Sequence, residues 1–421
     1  MPQAVQVPGA ERQRVSRLDD LTTAGLVGTD YTDPLDFAGL HAAGSRNPHG
    51  VPGVQIDGYF PDTSTLNTDH GWNHDAQFVI RLPDAWNGKL VISGAPGVRK
   101  QYSVDFLIGD WVLARGYAFA VTDKGNSGPE FFLDSRAPGD AIAEWHVRVT
   151  ELTRAAAEVV RQRYARPPDR TYVSGISNGG YLTRYALERH PDLYDGGVDW
   201  EGTLFRAEGP NLLTYLPAAL RYYPVYARSG DQAAHAGMLA AGFPPGSEFL
   251  WEFHYQTYWV LTQRIYRQLF DPTWEGVEAE YDYLSRPAEV KQAVARVSLT
   301  GAIGKPLITL HGTLDCLLPI RLHGDAYADL IAAAGRAASH RYYVVADGNH
   351  VDGLYDLFPD RLRPMLPCYR AAFEALEAWV EHGREPPPSG LLPRPSSGDL
   401  VNACSLDRLV PRPNAARSTR G

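Results

Sequence analysis

From residue 77 onward, short apolar runs alternate with stretches whose apolar positions recur every three or four residues. Gln77-Phe-Val-Ile-Arg-Leu and residues 89–93 are predicted as early strands, separated by the turn-rich Pro83-Asp-Ala-Trp-Asn-Gly. Residues 111–115 are predicted helical, and Tyr117-Ala-Phe-Ala-Val-Thr is predicted as another strand. From 141, Ile142, Trp145, Val149, Leu152, Ala156 and Val159 fall on one side of a helix, which predicts an amphipathic helix facing a core. Lys305-Pro-Leu-Ile-Thr-Leu and Arg341-Tyr-Tyr-Val-Val-Ala have the look of late buried strands. Strands alternating with helices predict a mostly parallel sheet with helices on both faces.

That pattern divides the chain. Residues 1–75 are rich in loop-forming types, and residues 76–202 and 301–383 carry the α/β alternation. Between them, residues 203–300 hold helical patterns dense in aromatics and are expected to form a helical lid inserted after strand 6. Residues 384–421 are a Pro-rich tail, expected as an extended strap or a disordered arm.

Candidate chemistry sits where a strand pattern breaks. Thr171–Gly180 reads TYVSGISNGG, and within it Gly175-Ile176-Ser177-Asn178-Gly179 matches G-x-S-x-G. That pattern makes a sharp strand-to-helix turn that exposes a serine hydroxyl as a nucleophile. The residues after it form a good helix opening that stops at His190-Pro191. A serine nucleophile needs a base and an orienting acid. His311-Gly-Thr-Leu-Asp315-Cys-Leu-Leu-Pro319 follows one late strand, and Asp347-Gly-Asn-His350 follows the next. Ser177, Asp315 and His350 therefore stand in the Ser–Asp–His order of α/β-hydrolases. Asp199 and Glu201 are rival acids after the preceding strand, and His311 is a rival base.

An oxyanion hole needs backbone N–H donors. Asn178 supplies one by position. Residues 89–93 lead into Gly94-Ala-Pro-Gly97, and because Pro96 has no N–H, the second donor is Ala95 or Gly97. Within the insertion, Trp251, Tyr255, Tyr258 and Trp259 are the candidate substrate-binding side chains, picked for their aromatic density next to a segment expected to cover Ser177.

Composition narrows the function classes. A net charge of −9 without a basic run argues against nucleic acid or an anionic membrane as partner. No run of about 18 apolar residues predicts a membrane span. With no cationic, apolar leader at the start, a cytoplasmic location is expected. Three cysteines, an odd number, argue against a disulfide framework. Cys316 is expected as a packed thiol, and Cys368 and Cys404 could pair but are expected free. No metal or phosphate-binding motif is present, so neither metal nor cofactor is expected. The expected partner is a small-molecule or oligomeric ester.

The elbow, the H-G-x-x-D loop, the late histidine, Gly116-Tyr-Ala-Phe-Ala-Val-Thr-Asp-Lys-Gly125 and Ala375-Leu-Glu-Ala-Trp-Val-Glu-His-Gly-Arg-Glu-Pro-Pro resemble the tannase/feruloyl-esterase and 3-hydroxybutyrate-oligomer-hydrolase group of α/β-hydrolases. The resemblance covers roughly residues 75–385. It implies carboxylic ester hydrolysis with Ser177, Asp315 and His350 as triad. Tannase-type members have a cysteine directly before the serine, paired with one directly after the histidine. Here those positions are Ile176 and Val351, and no acidic calcium-binding loop is evident in the insertion. Both differences shift the expectation toward an intracellular esterase acting on hydroxyalkanoate oligomers, with aromatic esters as the other class. A noncatalytic binding protein on the same fold, or a peptidase or acyltransferase using the same triad, are the alternatives.

Overall fold

The computed structural model describes residues 5–412, apart from 28, 30–32, 63–71 and 73–75. Ten strands make one sheet: β1 (Arg12–Leu18), β2 (Gly53–Tyr59), β3 (Gln77–Pro83), β4 (Lys89–Gly94), β5 (Ala118–Thr122), β6 (Arg170–Ile176), β7 (Gly196–Trp200), β8 (Leu307–Gly312), β9 (His340–Val345) and β10 (Gly390–Leu392). Their spatial order is β1-β2-β3-β5-β4-β6-β7-β8-β9-β10. The β1–β2, β2–β3 and β3–β5 pairs are antiparallel, and every pair from β5 through β10 is parallel.

Helices bury both faces, which is why β4 through β9 are almost wholly buried. On one face, the helix Asp140–Tyr164 sets Ile142, Trp145, Val149 and Leu152 into a core shared with Tyr181 and Leu182 of the helix Asn178–Arg189. On the other, the helix Leu366–His382 contributes Tyr369, Phe373 and Leu376, at four- and three-residue spacing. Pro367 in its first turn and Gly383 at φ 63° just past its end fix its limits. Truncating a fully buried ring such as Phe373 to Ala in this layer costs about 3–5 kcal/mol.

The N-terminal stretch supplies β1 and β2, two strands that the apolar pattern does not reveal. β1 is an edge strand whose residues are exposed or half-buried, so it needs no apolar stripe. β2 is buried but carries Gln55 and Asp57, satisfied by Arg81 and Tyr102. The aromatic-rich insertion, expected after a sixth strand, falls between β7 and β8, the seventh and eighth strands along the chain. Its main helices are Leu216–Ser229, Gln232–Ala241, Val260–Phe270 and Ala288–Ala295.

Cys368 and Cys404, expected as free thiols, form a disulfide. Cys368 lies in the first turn of the helix Leu366–His382, and the tail returns over that turn to bring the two Cα atoms within 5.0 Å, inside the range a bridge requires. Cys316 is a buried free thiol. As far as residue 412 the Pro-rich tail is an ordered strap. It adds β10 to the sheet edge, pairs Leu391 with Val410 and ends in an ion pair between Arg412 and Asp325. Residues 413–421 lie outside the described residues. Among those described, no helix is long and apolar enough to cross a membrane.

Candidate active site

Ser177 is the single residue between the end of β6 and the start of the helix Asn178–Arg189. Its φ of 58° and ψ of −118° are a backbone conformation that a side chain with a Cβ rarely adopts. The flanking glycines show what the turn requires. A Cβ on Gly175 would stand 2.4 Å from the carbonyl carbon of Gly179, and one on Gly179 would stand 2.4 Å from the carbonyl oxygen of Gly94 at the end of β4. No larger residue fits where the elbow presses onto the neighbouring strand.

A second close approach joins the loops after β8 and β9. A Cβ on Gly312 would lie 2.4 Å from the backbone of Gly348, and the Leu314 N–H donates to the Gly348 carbonyl at 2.8 Å. This contact places Asp315 beside His350. The Asp315 Oδ1 accepts from the N–H groups of Leu317 and Leu318, both at 2.8 Å, and its Oδ2 stands 2.9 Å from the Nδ1 of His350. Ser177 and His350 line one cavity of about 230 Å³, and both are more than nine-tenths buried.

The rival groups fall into other places. Asp199 forms a fully buried ion pair with Arg184 at 2.6 Å and accepts from the Gly202 N–H, so it is turned away from the histidine. His311 stands 2.8 Å from the Leu318 carbonyl through Nε2, with Asp315 at 3.4 Å, and so braces the acid loop from below. Glu201 is closer to a second orienter: its Oε2 is 3.8 Å from the His350 Nδ1, while Oε1 accepts from the Gly312 N–H. Burial, and then the charge of Asp315, push the Glu201 pKa well above the carboxylate range. For Asp315 burial acts in the same direction, but His350, His311 and their hydrogen bonds outweigh it and hold the carboxyl ionised. Two adjacent buried carboxyls are thus pushed in opposite directions.

The Asn178 N–H lies in the first turn of its helix, where no acceptor within the helix is available. The Ala95 N–H is already given to the Thr122 carbonyl at 3.0 Å, which leaves Gly97 of the pair. Gly97 lines the cavity, and its carbonyl accepts from the Asn178 side chain. Of the four aromatics, Tyr258 lines the cavity. Trp251, Tyr255 and Trp259 do not: the tryptophans are fully buried and donate to Ser247 and to the Cys316 carbonyl, and Tyr255 packs on Tyr223. The residues that accompany Tyr258 are Thr257, Leu261, Thr262, Ile265 and Tyr266. They recur at three- and four-residue steps along one helical face, a periodic signal that aromatic density alone does not carry. Tyr266 also accepts from the Asn178 side chain at 2.9 Å, tying the insertion to the elbow.

Two families match consecutive parts of the chain: tannase and feruloyl esterase over residues 63–200, and 3HB-oligomer hydrolase over residues 270–417. Similar curated proteins include mono(2-hydroxyethyl) terephthalate hydrolase of Piscinibacter sakaiensis, 30% identical over 30% of this chain and 23% of that protein. D-(-)-3-hydroxybutyrate oligomer hydrolase of Ralstonia nicotianae is 29% identical over 30% of this chain and 18% of its own length. The matched stretches thus span only about a quarter or less of these relatives. Among solved structures, feruloyl esterase B from Aspergillus oryzae superposes with a TM-score of 0.57 at 14% identity, covering 91% of this chain and 89% of that one. Tannin acyl hydrolase from Aspergillus niger gives 0.55 at 14%, covering 89% and 83%. The chain thus has the α/β-hydrolase fold, and over residues 63–200 and 270–417 it is similar to the tannase/feruloyl-esterase and 3HB-oligomer-hydrolase families.

Proposed function

We propose that the chain is a carboxylic ester hydrolase with Ser177 as nucleophile, His350 as general base and acid, and Asp315 as the group that orients the imidazole. The observation that carries this reading is the placement of a strained, buried serine and a histidine on one cavity, with the histidine's far nitrogen 2.9 Å from a fully buried carboxylate. Attack by the Ser177 Oγ on the ester carbonyl transfers its proton to His350, which returns it to the departing alcohol. The N–H groups of Asn178 and Gly97 receive the developing oxyanion. Water then releases the acid, with His350 again taking the proton.

The cavity walls are mainly apolar, and the relatives' names speak of aromatic and hydroxybutyrate esters, which supports hydroxyalkanoate-oligomer or aromatic esters as substrates. Covering of the cavity by the face 257–266 supports a lid role for the insertion. On location, the Cys368–Cys404 bridge favours an oxidising compartment over the cytoplasm. Replacing Ser177 by Ala, which the turn accommodates, is expected to abolish turnover of short nitrophenyl esters and labelling by a fluorophosphonate while leaving the melting temperature near wild type. Wild-type turnover by Ser177→Ala would sink the proposal.

A further inference from the structure

Arg99 is the one permanently charged residue among the described residues that line the cavity, and no Asp, Glu or Lys shares that lining. Its guanidinium is half-buried and is held by neutral acceptors: Nη1 donates to the Asp36 carbonyl at 2.6 Å and Nη2 to the Ala38 carbonyl at 3.1 Å. No carboxylate among the described residues lies within 4.0 Å of it, whereas the buried Arg81 and Arg184 each sit on an aspartate at 2.6 Å. The Asp36 carboxyl feels the charge of Arg99 without forming an ion pair. Its pKa is raised, chiefly by burial, which weakens it as a counter-ion.

A guanidinium carries five N–H donors; two carbonyls and the Tyr258 hydroxyl engage it, and the rest of the fork is left for a ligand. Much of the surrounding wall is made by side chains such as Leu40, Val98, Ile176, Leu261 and Ile265, which compete for none of those donors. A fixed cation at an apolar wall rewards an anion in the ligand, and the fork geometry suits a carboxylate.

We infer that Arg99 is a carboxylate subsite, and that the preferred esters carry a free carboxylate away from the scissile bond. This rests on the ester-hydrolase reading and narrows it. Two kinds of molecule share the chemistry: half-esters of dicarboxylic acids, with the anion on the acyl side, and hydroxyacid dimers, with the anion on the alcohol side. Arg99 is the specificity-determining residue in either case.

The test compares kcat/KM for monoethyl and diethyl adipate, and for the 3-hydroxybutyrate dimer and its methyl ester, in wild type, Arg99→Gln and Arg99→Lys. The wild type is expected to favour the acid of at least one pair over its capped partner by about 10- to 100-fold, through KM. The pair showing the preference reveals which side of the ester the anion occupies. In Arg99→Gln the acid-to-capped ratio should collapse toward one, and in Arg99→Lys it should survive in part. Because Arg99 also ties down residues 36 and 38, glutarate inhibition of wild-type nitrophenyl butyrate turnover is measured beside inhibition by neutral glutaramide, with glutarate expected to be the stronger by a similar factor. Equal wild-type rates within both pairs together with equal inhibition would overturn the subsite, as would an acid preference that survives in Arg99→Gln. Absence of turnover of nitrophenyl butyrate itself would instead bring down the ester-hydrolase reading.

Discussion

At the residue scale, two buried acids compete for one imidazole, and their hydrogen bonds decide which is charged. Asp315 is 2.9 Å from the His350 Nδ1 and accepts two further backbone N–H groups, whereas Glu201 is 3.8 Å away and accepts one. Adjacent carboxyls do not both ionise, so the better-solvated one keeps the charge and the other keeps its proton. Asp315→Asn is expected to cut kcat by several orders of magnitude, because the amide favours the wrong tautomer; in a related triad the fall is ~10⁴. Glu201→Gln mimics the protonated acid in shape and charge and should lose far less. Steady-state kinetics on one nitrophenyl ester separates the two, and a severe loss in Glu201→Gln with little loss in Asp315→Asn would mean that Glu201 is the orienting acid. Asp199→Asn leaves Arg184 without its buried partner, so its effect should appear as lost stability of about 3–5 kcal/mol and not as lost chemistry in the surviving fold.

At the scale of elements, the sequence shows most clearly what local physics determines. The helix Asp140–Tyr164 follows from its apolar spacing, β6 and the serine turn from an apolar run ending in glycines, and β8 and β9 from short buried runs. β1 and β2 escape because one is an exposed edge and the other hides polar side chains that only the folded partners satisfy. The disulfide escapes for a related reason: a separation of 36 residues says nothing about a tail that folds back. Aromatic density in the insertion marks core as readily as pocket, and only the spacing from 257 to 266 marks the face on the cavity. Tyr258→Ala is therefore expected to shift the ratio of long- to short-chain ester turnover at little cost in stability. Trp259→Ala, cutting a fully buried ring, should cost about 3–5 kcal/mol and depress all substrates alike. Thermal melts beside a two-substrate assay check both, and an unchanged ratio in Tyr258→Ala would place selection elsewhere in the wall. For the bridge, Cys404→Ser should lower stability in denaturant melts by about 3–4 kcal/mol if its 36-residue loop acts through chain entropy, and unchanged stability would show that β10 and the Arg412–Asp325 pair hold the strap unaided.

For the whole molecule, buried ionisable groups of opposite kinds make stability depend on pH in opposing ways. Burial, assisted by Arg184 and Arg341, lowers the His340 pKa to about 3, and burial lowers that of His146 to about 3 as well. In the unfolded chain a histidine titrates near 6.5. Between these values the unfolded state binds protons that the folded state refuses, so each histidine's contribution is intact above about pH 6.5 and is lost as the pH falls toward 3. Asp352, buried and accepting the N–H groups of Met365 and Leu366, is raised to about 7 from the usual value near 4. Here the folded state holds a proton that the unfolded state releases, so its contribution is fullest below about pH 4 and is lost as the pH rises through 7. Each group can tilt the stability curve by at most about 1.4 kcal/mol per pH unit. Denaturant melts between pH 7 and pH 4.5 should therefore show His340→Gln losing less stability on acidification than wild type, because the group that penalises acid is gone. Asp352→Asn should lose more, because the group that rewards acid is gone. Curves that stay parallel across the three proteins would mean that His340 and Asp352 titrate alike in the folded and unfolded chains, and that the interior around β9 and the start of the last long helix admits enough water to solvate their charged forms.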